Sequence, residues 1–367
     1  MNKSLLHYIG LTSIPTIGNI TAKKLIAYCG SAEEVFSARK SSLEKIPGIG
    51  TFHSQKIIQH KREGLYIAEQ ELEYLSKNKL AAHTVFDDSY PKRLKQCEDG
   101  PLVIYTKGNV DLNAQKVISI VGTRKASDYG KCFCETLIAD LKYHYPILIS
   151  GLAFGIDACV HKTALKNNIP TVGVVAHGLD QLYPPQHMPL SIQMLEEGGL
   201  VTEFKSGTKP DRENFPKRNR IIAGLADITI VIESGKKGGS LITAELANIY
   251  NRDVFALPGK VSDPYSEGCN ALIKQNKAHL LQSVKDIEYL MNWNATPSKE
   301  ANQTELFVEL NPDEKVLFNI LSKQNPVAVD ELALASKFPM SKTVSLLLEM
   351  EFKNLVKPLP GKMYRAV

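Results

Sequence analysis

Two nucleotide-binding fingerprints are missing from this sequence: it contains neither G-x-G-x-x-G nor G-x-x-x-x-G-K-[ST]. No enclosed dinucleotide cradle and no P-loop is therefore expected. Cysteine is sparse and unpatterned: Cys29, Cys97, Cys132, Cys134, Cys159 and Cys269 form no C-x-x-C pair and no regular framework. Such thiols are read as reduced, in a cytoplasmic protein. No run of 18 apolar residues occurs, so no membrane insertion is expected. The stretch "LLHYIGL" after Lys3 is short, contains His7 and runs into Pro15 and Gly18 instead of a cleavage site, which argues against export. Neither sign of charge dominates. Lys and Arg number 44 against 39 Asp and Glu, and the net charge of +5 gives only a slight lean toward polyanionic partners.

What is present divides into three parts. Residues 1–82 carry helical periodicity in "AKKLIAYCG", "SAEEVFSA", "SQKIIQHK" and "LYIAEQELEYLSK". Two turns there repeat, "IPTIGNITAKKLI" and "IPGIGTFHSQKII"; the second keeps Gly48 and Gly50, whereas the first has Thr16 at the leading position. The repeat is similar to a helix-hairpin-helix module. Either it offers helix N-terminal N–H groups to a phosphate, or it is a packing hairpin.

Residues 83–291 begin with an irregular lead-in, 83–114. The runs "VISIVG", "PILISG", "TVGVVAHG", "LVTEF", "ITIVIES" and "DVFALPG" then alternate with helical segments. Continuous Val/Ile runs in βα alternation predict a parallel sheet covered on both faces. Residues 292–304 read as a polar linker. Residues 305–367 predict three helices and a hairpin, a winged helix, in which acidic and basic residues cancel. With Glu349 and Glu351 beside Lys342 and Lys353 on the would-be recognition helix, protein contact is as good a reading as weak DNA contact. The expected fold class is multidomain α/β: a central Rossmann-like parallel sheet, an N-terminal helical (SAM/helix-hairpin-helix-like) domain and a C-terminal winged helix.

Ligands of such sheets bind outside the C-terminal ends of the strands. The runs here discharge Gly122-Thr123-Arg124, Gly151, His177, Glu203, Glu233 and Lys260 at that edge. In "GKKGGSLITAELA", Gly238, Gly239 and Ser240 precede a helix, an arrangement that brings backbone N–H groups and the positive end of the dipole to an anion, or else a plain N-cap at Ser240. In "NFPKRNRIIAGLAD", Lys217, Arg218, Asn219 and Arg220 set cations where a helix begins. They oppose the dipole unless an anion lies between them, and one of the arginines, Arg218 first, is expected to pair internally with Glu203, Glu213 or Glu233. Asp157 and His161 stand one turn apart, but no third ligand is evident, so no metal site is assigned and Asp157 is read as a capping carboxylate. Gly151, Phe154, Asp157 and Glu203 are expected to shape the cleft. Tyr129, Phe154 and Phe215 are candidates for stacking on bases or for the core.

In order and spacing, "VGTRKASDYG", "SGLAFGIDACVHKTAL", "HGLDQLYPPQH", "FPKRNRIIAGLAD", "KKGGSLITAELA", "RDVFALPG" and "GCNALIKQ" resemble the DNA-processing protein A family (DprA, also called Smf). The resemblance covers about 80–290. It implies a protein of natural transformation that binds single-stranded DNA, protects incoming strands, helps load the RecA recombinase, and forms a homodimer through its Rossmann-like domain, with no cofactor and no catalysis. It also implies a phosphate-binding set of Gly122, Thr123, Arg124, Lys217, Arg218, Asn219, Arg220, Gly238, Gly239, Ser240 and Lys260. The family's K-S-G-S is here Lys237-Gly238-Gly239-Ser240, which removes one hydroxyl contact and keeps the backbone donors. The segment Ala271 to Leu290 is the expected dimer face. Two competing readings exist. A nucleoside-monophosphate phosphoribohydrolase of the lysine-decarboxylase-like family would use Glu245 as its carboxylate, and a transcription regulator would act through the tail.

Overall fold

The structure is a computed structural model that describes residues 3–109, 111–293, 310–323, 326–353, 355–359 and 361–366. The chain divides into two compact units, one before and one after the linker. The expected boundary at 304/305 and all but the start of the 292–304 linker lie outside the described residues.

The first unit opens with α1 (Lys3–Ser13), α2 (Asn19–Cys29), α3 (Ala32–Ser37), α4 (Lys40–Leu43) and the long α5 (Gly50–Asn78). Helices α1 and α5 cross where Gly10 and Gly64 meet; a Cβ on Gly64 would lie 2.7 Å from the Gly10 carbonyl oxygen. The two similar turns deliver α2 and α5. In the second, Gly48 has φ +81, and Thr16 takes up the same left-handed conformation in the first, φ 73.

The alternating part follows as β1 (Ala81–Thr84), α6 (Lys92–Lys95), β2 (Val103–Gly108), β3 (Val117–Gly122), α7 (Asp128–Leu141), β4 (Ile147–Ser150), α8 (Ile156–Lys166), β5 (Thr171–Val174), α9 (Met188–Glu197), β6 (Gly199–Thr202), α10 (Asn214–Leu225), β7 (Ile228–Ile232), α11 (Gly239–Ile249), β8 (Asp253–Ala256), α12 (Glu267–Lys274), β9 (His279–Leu280) and α13 (Val284–Met291). These strands form one sheet in the order β1-β2-β6-β5-β4-β3-β7-β8-β9. From β6 to β9 all neighbours are parallel; β2 and β1 extend the edge antiparallel. The chain winds outward from β3 through β4, β5 and β6. It then crosses back to lay β7 on the other side of β3, with Ile118 opposite Ile228 and Gly122 opposite Ile232. The switch point is between β3 and β7.

Both faces are covered, which is why the strand sequences are apolar throughout instead of alternating. Ile118 and Ile120 of β3 pack with Leu137, Ile138 and Val160 of α7 and α8. Val117 and Val121 pack on the opposite side with Ile221, Ile222 and Ala244 of α10 and α11. Fully burying each such side chain contributes roughly 1.5–3 kcal/mol.

The helical domain is hydrogen-bonded to this sheet. The expected 82/83 boundary falls inside β1, and polar contacts join the two parts. Glu71 of α5, buried, accepts from the Ser206 backbone N–H (3.0 and 3.1 Å) and from its hydroxyl. Asn19 at the start of α2 accepts from Leu102 N–H at 2.9 Å and donates to Glu203 at 3.1 Å.

The second unit contains α14 (Pro312–Lys323), β10 (Val327–Ala328), α15 (Val329–Ser336), α16 (Met340–Phe352), β11 (Val356–Leu359) and β12 (Met363–Ala366). Its sheet runs β10-β12-β11, a winged helix. Asn311 and Glu314 cap α14 reciprocally, at 2.8 and 2.9 Å. On α16, Met340, Val344 and Leu348 are exposed at helical spacing, an apolar stripe on the helix that would read a DNA groove.

A β-branched residue in the left-handed region is strained. Replacing Thr16 by Gly is expected to raise stability by about 1 kcal/mol, the relief exceeding the entropy glycine adds to the unfolded chain. Urea midpoints of the two proteins check it, and a lower midpoint for Thr16→Gly would show that the turn carries no strain.

Candidate nucleic-acid interface

At the switch point a cleft of about 270 Å³ is lined by the loops after β3, β4 and β7 and the first turns of α10 and α11. Each loop is held by backbone geometry. Gly155, at φ +77, lets α8 begin against the β3 loop, where any Cβ would strike the Thr123 carbonyl. Ile156 N–H donates to that carbonyl at 3.1 Å, and Thr123 N–H donates to the Glu233 carbonyl at 2.8 Å. The Glu233 side chain, buried at the end of β7, receives Ser127 N–H at 2.8 Å and the Ser127 hydroxyl. Ser127 in turn caps α7 by accepting from Gly130 N–H. Glu233 thus fixes both ends of the loop that carries Arg124, so it holds a loop and pairs with no arginine. The sequence signal was a lone Glu after an apolar run, which does not distinguish these roles.

Arg124 is exposed and makes no ion pair among the described residues; its guanidinium lies over the Phe215 ring, 5.5 Å from the centroid. Arg218 lies over the same ring at 5.9 Å but is buried, 5% exposed. It donates to the Gly151 carbonyl at 2.6 Å and to the Val174 carbonyl, and its Nε donates to Asn219 Oδ1 at 3.2 Å. Burial lowers its pKa to about 10, with Asp157 acting the other way, so it remains a cation at neutral pH. Asp157, also buried, is pushed up by burial and pulled down by Arg218, and accepts from Ala153 N–H. A side chain on Gly151 would meet both, with Arg218 Nη1 and Asp157 Oδ2 each 2.6 Å from its Cβ. Arg218 is a positioning residue here. Its companion across the gap is Asp157, whereas Glu233 and Glu203 are otherwise engaged.

The N-terminus of α11 forms the opposite wall. Gly238 is its N-cap and supplies no side-chain cap. The Ser240 hydroxyl donates to Ser234 Oγ at 2.8 Å, so it does not cap α11 and its proton is engaged within the protein; the backbone donors of Gly239 and Ser240 remain. A Cβ on Gly239 meets nothing within 4 Å, so that position opens on the cleft. Lys236 and Lys237 stand exposed on the adjoining loop. Unpaired N–H groups, the helix dipole and Arg124 together favour a ligand of negative charge.

Helix α10 separates the basic segment into two faces. Phe215, Arg218, Asn219 and Ile222 line the switch-point cleft; Lys217 and Arg220 line a different cavity with Glu203. Arg220 is paired with Glu203 and donates to the Asp99 carbonyl. The helix starts at Asn214, before the apolar run that marked it in the sequence, so the cations fall on its first two turns and the 3.6-residue period divides them. Lys260, exposed beyond β8, does not line the cleft, although Tyr129 ties that loop to α7 by donating to the Pro258 carbonyl at 2.9 Å. Phe154 is exposed and stacks edge-on against His187. Glu245 is half-exposed in an ion pair with Lys277 at 2.9 Å and has no place on the cleft. No cluster of three His, Cys, Asp or Glu side chains suited to a metal occurs among the described residues.

Fold and cleft together define a doubly wound α/β protein whose switch point is furnished for an anion. Residues 81–292 match the family model of the DNA recombination-mediator protein A, and residues 299–362 match that of the DprA winged helix domain. Protein Smf of Synechocystis is 31% identical over 99% of both chains, and DNA processing protein DprA of Streptococcus pneumoniae is 38% identical over 58% of this chain and 76% of its own. Among solved structures, DNA processing protein A of Streptococcus pneumoniae superposes with a TM-score of 0.66 at 30% identity, covering 80% of this chain and 99% of that one. That of Helicobacter pylori, a structure concerned with its single-stranded DNA binding mode, gives 0.53 at 26%, covering 59% and 97%. The chain belongs to the DNA-processing protein A (DprA/Smf) family of DNA recombination mediators.

His161, considered above with Asp157, is fully buried on α8 with Nδ1 on the Thr171 hydroxyl at 2.7 Å. Burial lowers its pKa to about 3 from 6.5, with His187 and Arg218 adding to the shift. The folded state thus refuses a proton that the unfolded chain binds: the stability is complete above pH 6.5 and is lost as the pH falls toward 3. In His161→Gln that loss is expected to be smaller than in the wild type, by about 1.4 kcal/mol per pH unit below 6.5, on the order of 3 kcal/mol at pH 4. Urea unfolding at pH 7 and pH 4 checks it; parallel losses in both proteins would remove His161 from the acid response.

Proposed function

We propose that this protein binds single-stranded DNA through the switch-point cleft, protects incoming strands during natural transformation and helps load the RecA recombinase, acting in the cytoplasm as a homodimer and by binding alone. The observation that carries the reading is the facing pair of Arg124, exposed and without an ion pair among the described residues, and the uncapped N-terminus of α11. That pair suits a backbone phosphate, and a shallow cleft of this kind can follow a strand without enclosing a pyrophosphate. Phe215, under the Arg124 guanidinium, offers an aromatic surface beside the phosphate contacts. Family membership and the single-stranded DNA binding mode of the Helicobacter pylori relative support the same reading. The hydrolase alternative is disfavoured because Glu245 is engaged by Lys277 away from the cleft. No helix among the described residues is long and apolar enough to cross a membrane.

The variants Arg124→Ala and Gly239→Asp separate binding from folding. An Asp at the first position of a helix suits the dipole and meets no neighbour there, yet it places a negative charge where the phosphate is expected. Fluorescence anisotropy with a labelled single strand is expected to show Arg124→Ala weaker by roughly tenfold to hundredfold, the worth of one charge-assisted hydrogen bond. Its salt dependence, d log K/d log [salt], should be shallower by about 0.7. Gly239→Asp should bind less still, and duplex should bind weakly to all three. Unchanged affinity in both variants would refute the cleft as the DNA site.

For the dimer, the segment 271–290 contains the sheet's edge strand β9, which among the described residues pairs only with β8. Beside it α13 exposes Tyr289, at 88%. An open strand edge next to an exposed aromatic suits a second copy of the chain. Light scattering is expected to give a dimer for the wild type and a monomer for Leu280→Glu/Tyr289→Glu; a dimer in both would move the interface elsewhere.

A further inference from the structure

Two of the six cysteines meet where α7 packs on α8. Cys134 is on the inner face of α7, fully buried in one cluster with Ile118, Leu137 and Val160. Cys159, half-buried on the first turn of α8, packs against the same cluster. Its Sγ stands 4.0 Å from the Lys131 carbonyl, one turn before Cys134 on α7, and 3.9 Å from the Thr163 hydroxyl. The two thiols are hydrogen-bonded to each other. Neither lines the switch-point cleft.

The pair is asymmetric. Cys159 N–H donates to the Gly155 carbonyl at 3.1 Å, the first bond of α8, so this residue lies where the helix dipole favours a thiolate. The hydrogen bond from Cys134 is the largest influence and holds the Cys159 thiol down to about 7. Thr163 and Lys131 act in the same sense, against burial and Glu135. The same bond, together with burial, pushes the Cys134 thiol up. The charge therefore belongs on the half-buried sulfur and the proton on the enclosed one.

The other cysteines lack this arrangement. Burial pushes up Cys29, Cys97 and Cys269, the last to about 12. Cys132 is exposed on α7. Two residues turn an α-helix by about 200°, so Cys132 faces away from α8 and lines a groove with Thr136 and Gln282.

We propose that Cys159 and Cys134 form an oxidisable dithiol site for hydroperoxides, with Cys159 as the attacking thiol and Cys134 as the resolving one. The Cys159 thiolate attacks one oxygen of hydrogen peroxide. The O–O bond breaks, and hydroxide leaves and takes up the proton that Cys159 gave to solvent. Cys159 is then a sulfenic acid. The Cys134 sulfur attacks the Cys159 sulfur, the S–O bond breaks, and the hydroxyl leaves as water with the Cys134 proton. Two thiols have become one disulfide by loss of two electrons, and the peroxide has been reduced to two waters. The site stands behind the cleft: Ile156 at the start of α8 donates to the Thr123 carbonyl, and Ser127, which caps α7, is held by Glu233. A bond between the two helices ties together the supports of the loop that carries Arg124. The inference holds whether or not the cleft takes a strand.

The test treats the reduced full chain with a small molar excess of hydrogen peroxide at neutral pH and blocks the remaining thiols with iodoacetamide in denaturant. Tryptic peptides of the band that runs as a monomer without reductant are then read by mass spectrometry. Peptide 143–162 is expected joined to peptide 132–142, lighter than their sum by two hydrogens, and separate once reductant is added. Because peptide 132–142 also holds Cys132, the same link is expected in Cys132→Ser. In Cys134→Ser the link should be lost and Cys159 recovered as its dimedone adduct, since its sulfenic acid has no resolving thiol. In Cys159→Ser no link should form, and the enclosed Cys134 should stay a thiol. Should Cys134→Ser fail to fold, wild type and Cys132→Ser decide between the outcomes by themselves. Recovery of Cys134 and Cys159 as free thiols at a dose that oxidises Cys132 would overturn the proposal. A link that vanishes in Cys132→Ser or persists in Cys134→Ser would overturn it too, because Cys132 would then be the partner.

Discussion

A buried guanidinium, that of Arg218, joins the strand ends from which the cleft is made. It donates to carbonyls at the ends of β4 and β5 from a position on α10. Its charge is balanced by buried Asp157 at the start of α8, and Gly151 is required because any side chain there would displace one or the other. Removing one member of such a pair leaves the other charged and unsolvated, commonly at a cost of about 3–5 kcal/mol. The consequence for function is indirect. With Arg218 held to backbone carbonyls and Asp157 accepting from Ala153 N–H, neither takes up Arg124, which remains an exposed cation at the switch point.

Glu233 performs the complementary task at β7. Its carboxylate receives Ser127, and its carbonyl receives Thr123, so the loop from β3 is fixed at both ends while Arg124 projects between them. Fixed donors around an anion lose little freedom when it binds, which favours affinity. The other wall follows a different rule. The Ser240 hydroxyl is turned to Ser234 and a Cβ on Gly238 would strike Ser234 Oγ, so what faces the cleft there is backbone.

The helical domain enters the same region through Glu71 and Asn19, both of which bond to the sheet part. The first of the two similar hairpins is thereby placed against β6 and α10, with Thr16 adopting the conformation for which the second uses glycine. The winged helix is a separate unit. Its acidic and basic residues cancel, and α16 carries an exposed apolar stripe of Met340, Val344 and Leu348.

The amino-acid sequence by itself determined the architecture of the sheet: six Val/Ile runs became six parallel strands, since a strand buried on both faces has no polar side to write into its pattern. It also marked Gly122–Arg124 and Gly238–Ser240 at one edge, although α11 begins two residues earlier than the sequence suggested, at Gly239. The short strands β1 and β9 were not legible, because their residues are partly exposed and follow no period. Nor was the division of Lys217, Arg218 and Arg220, which depends on α10 starting at Asn214, a boundary set by packing and by no apolar residue. Only the tertiary structure decided that β7 lies beside β3 and so makes the switch point, that Glu233 holds a loop, and that Glu203 faces a second cavity. Each of these joins residues far apart in the chain, and such pairings are chosen by packing and charge in the folded protein, where local sequence has no vote.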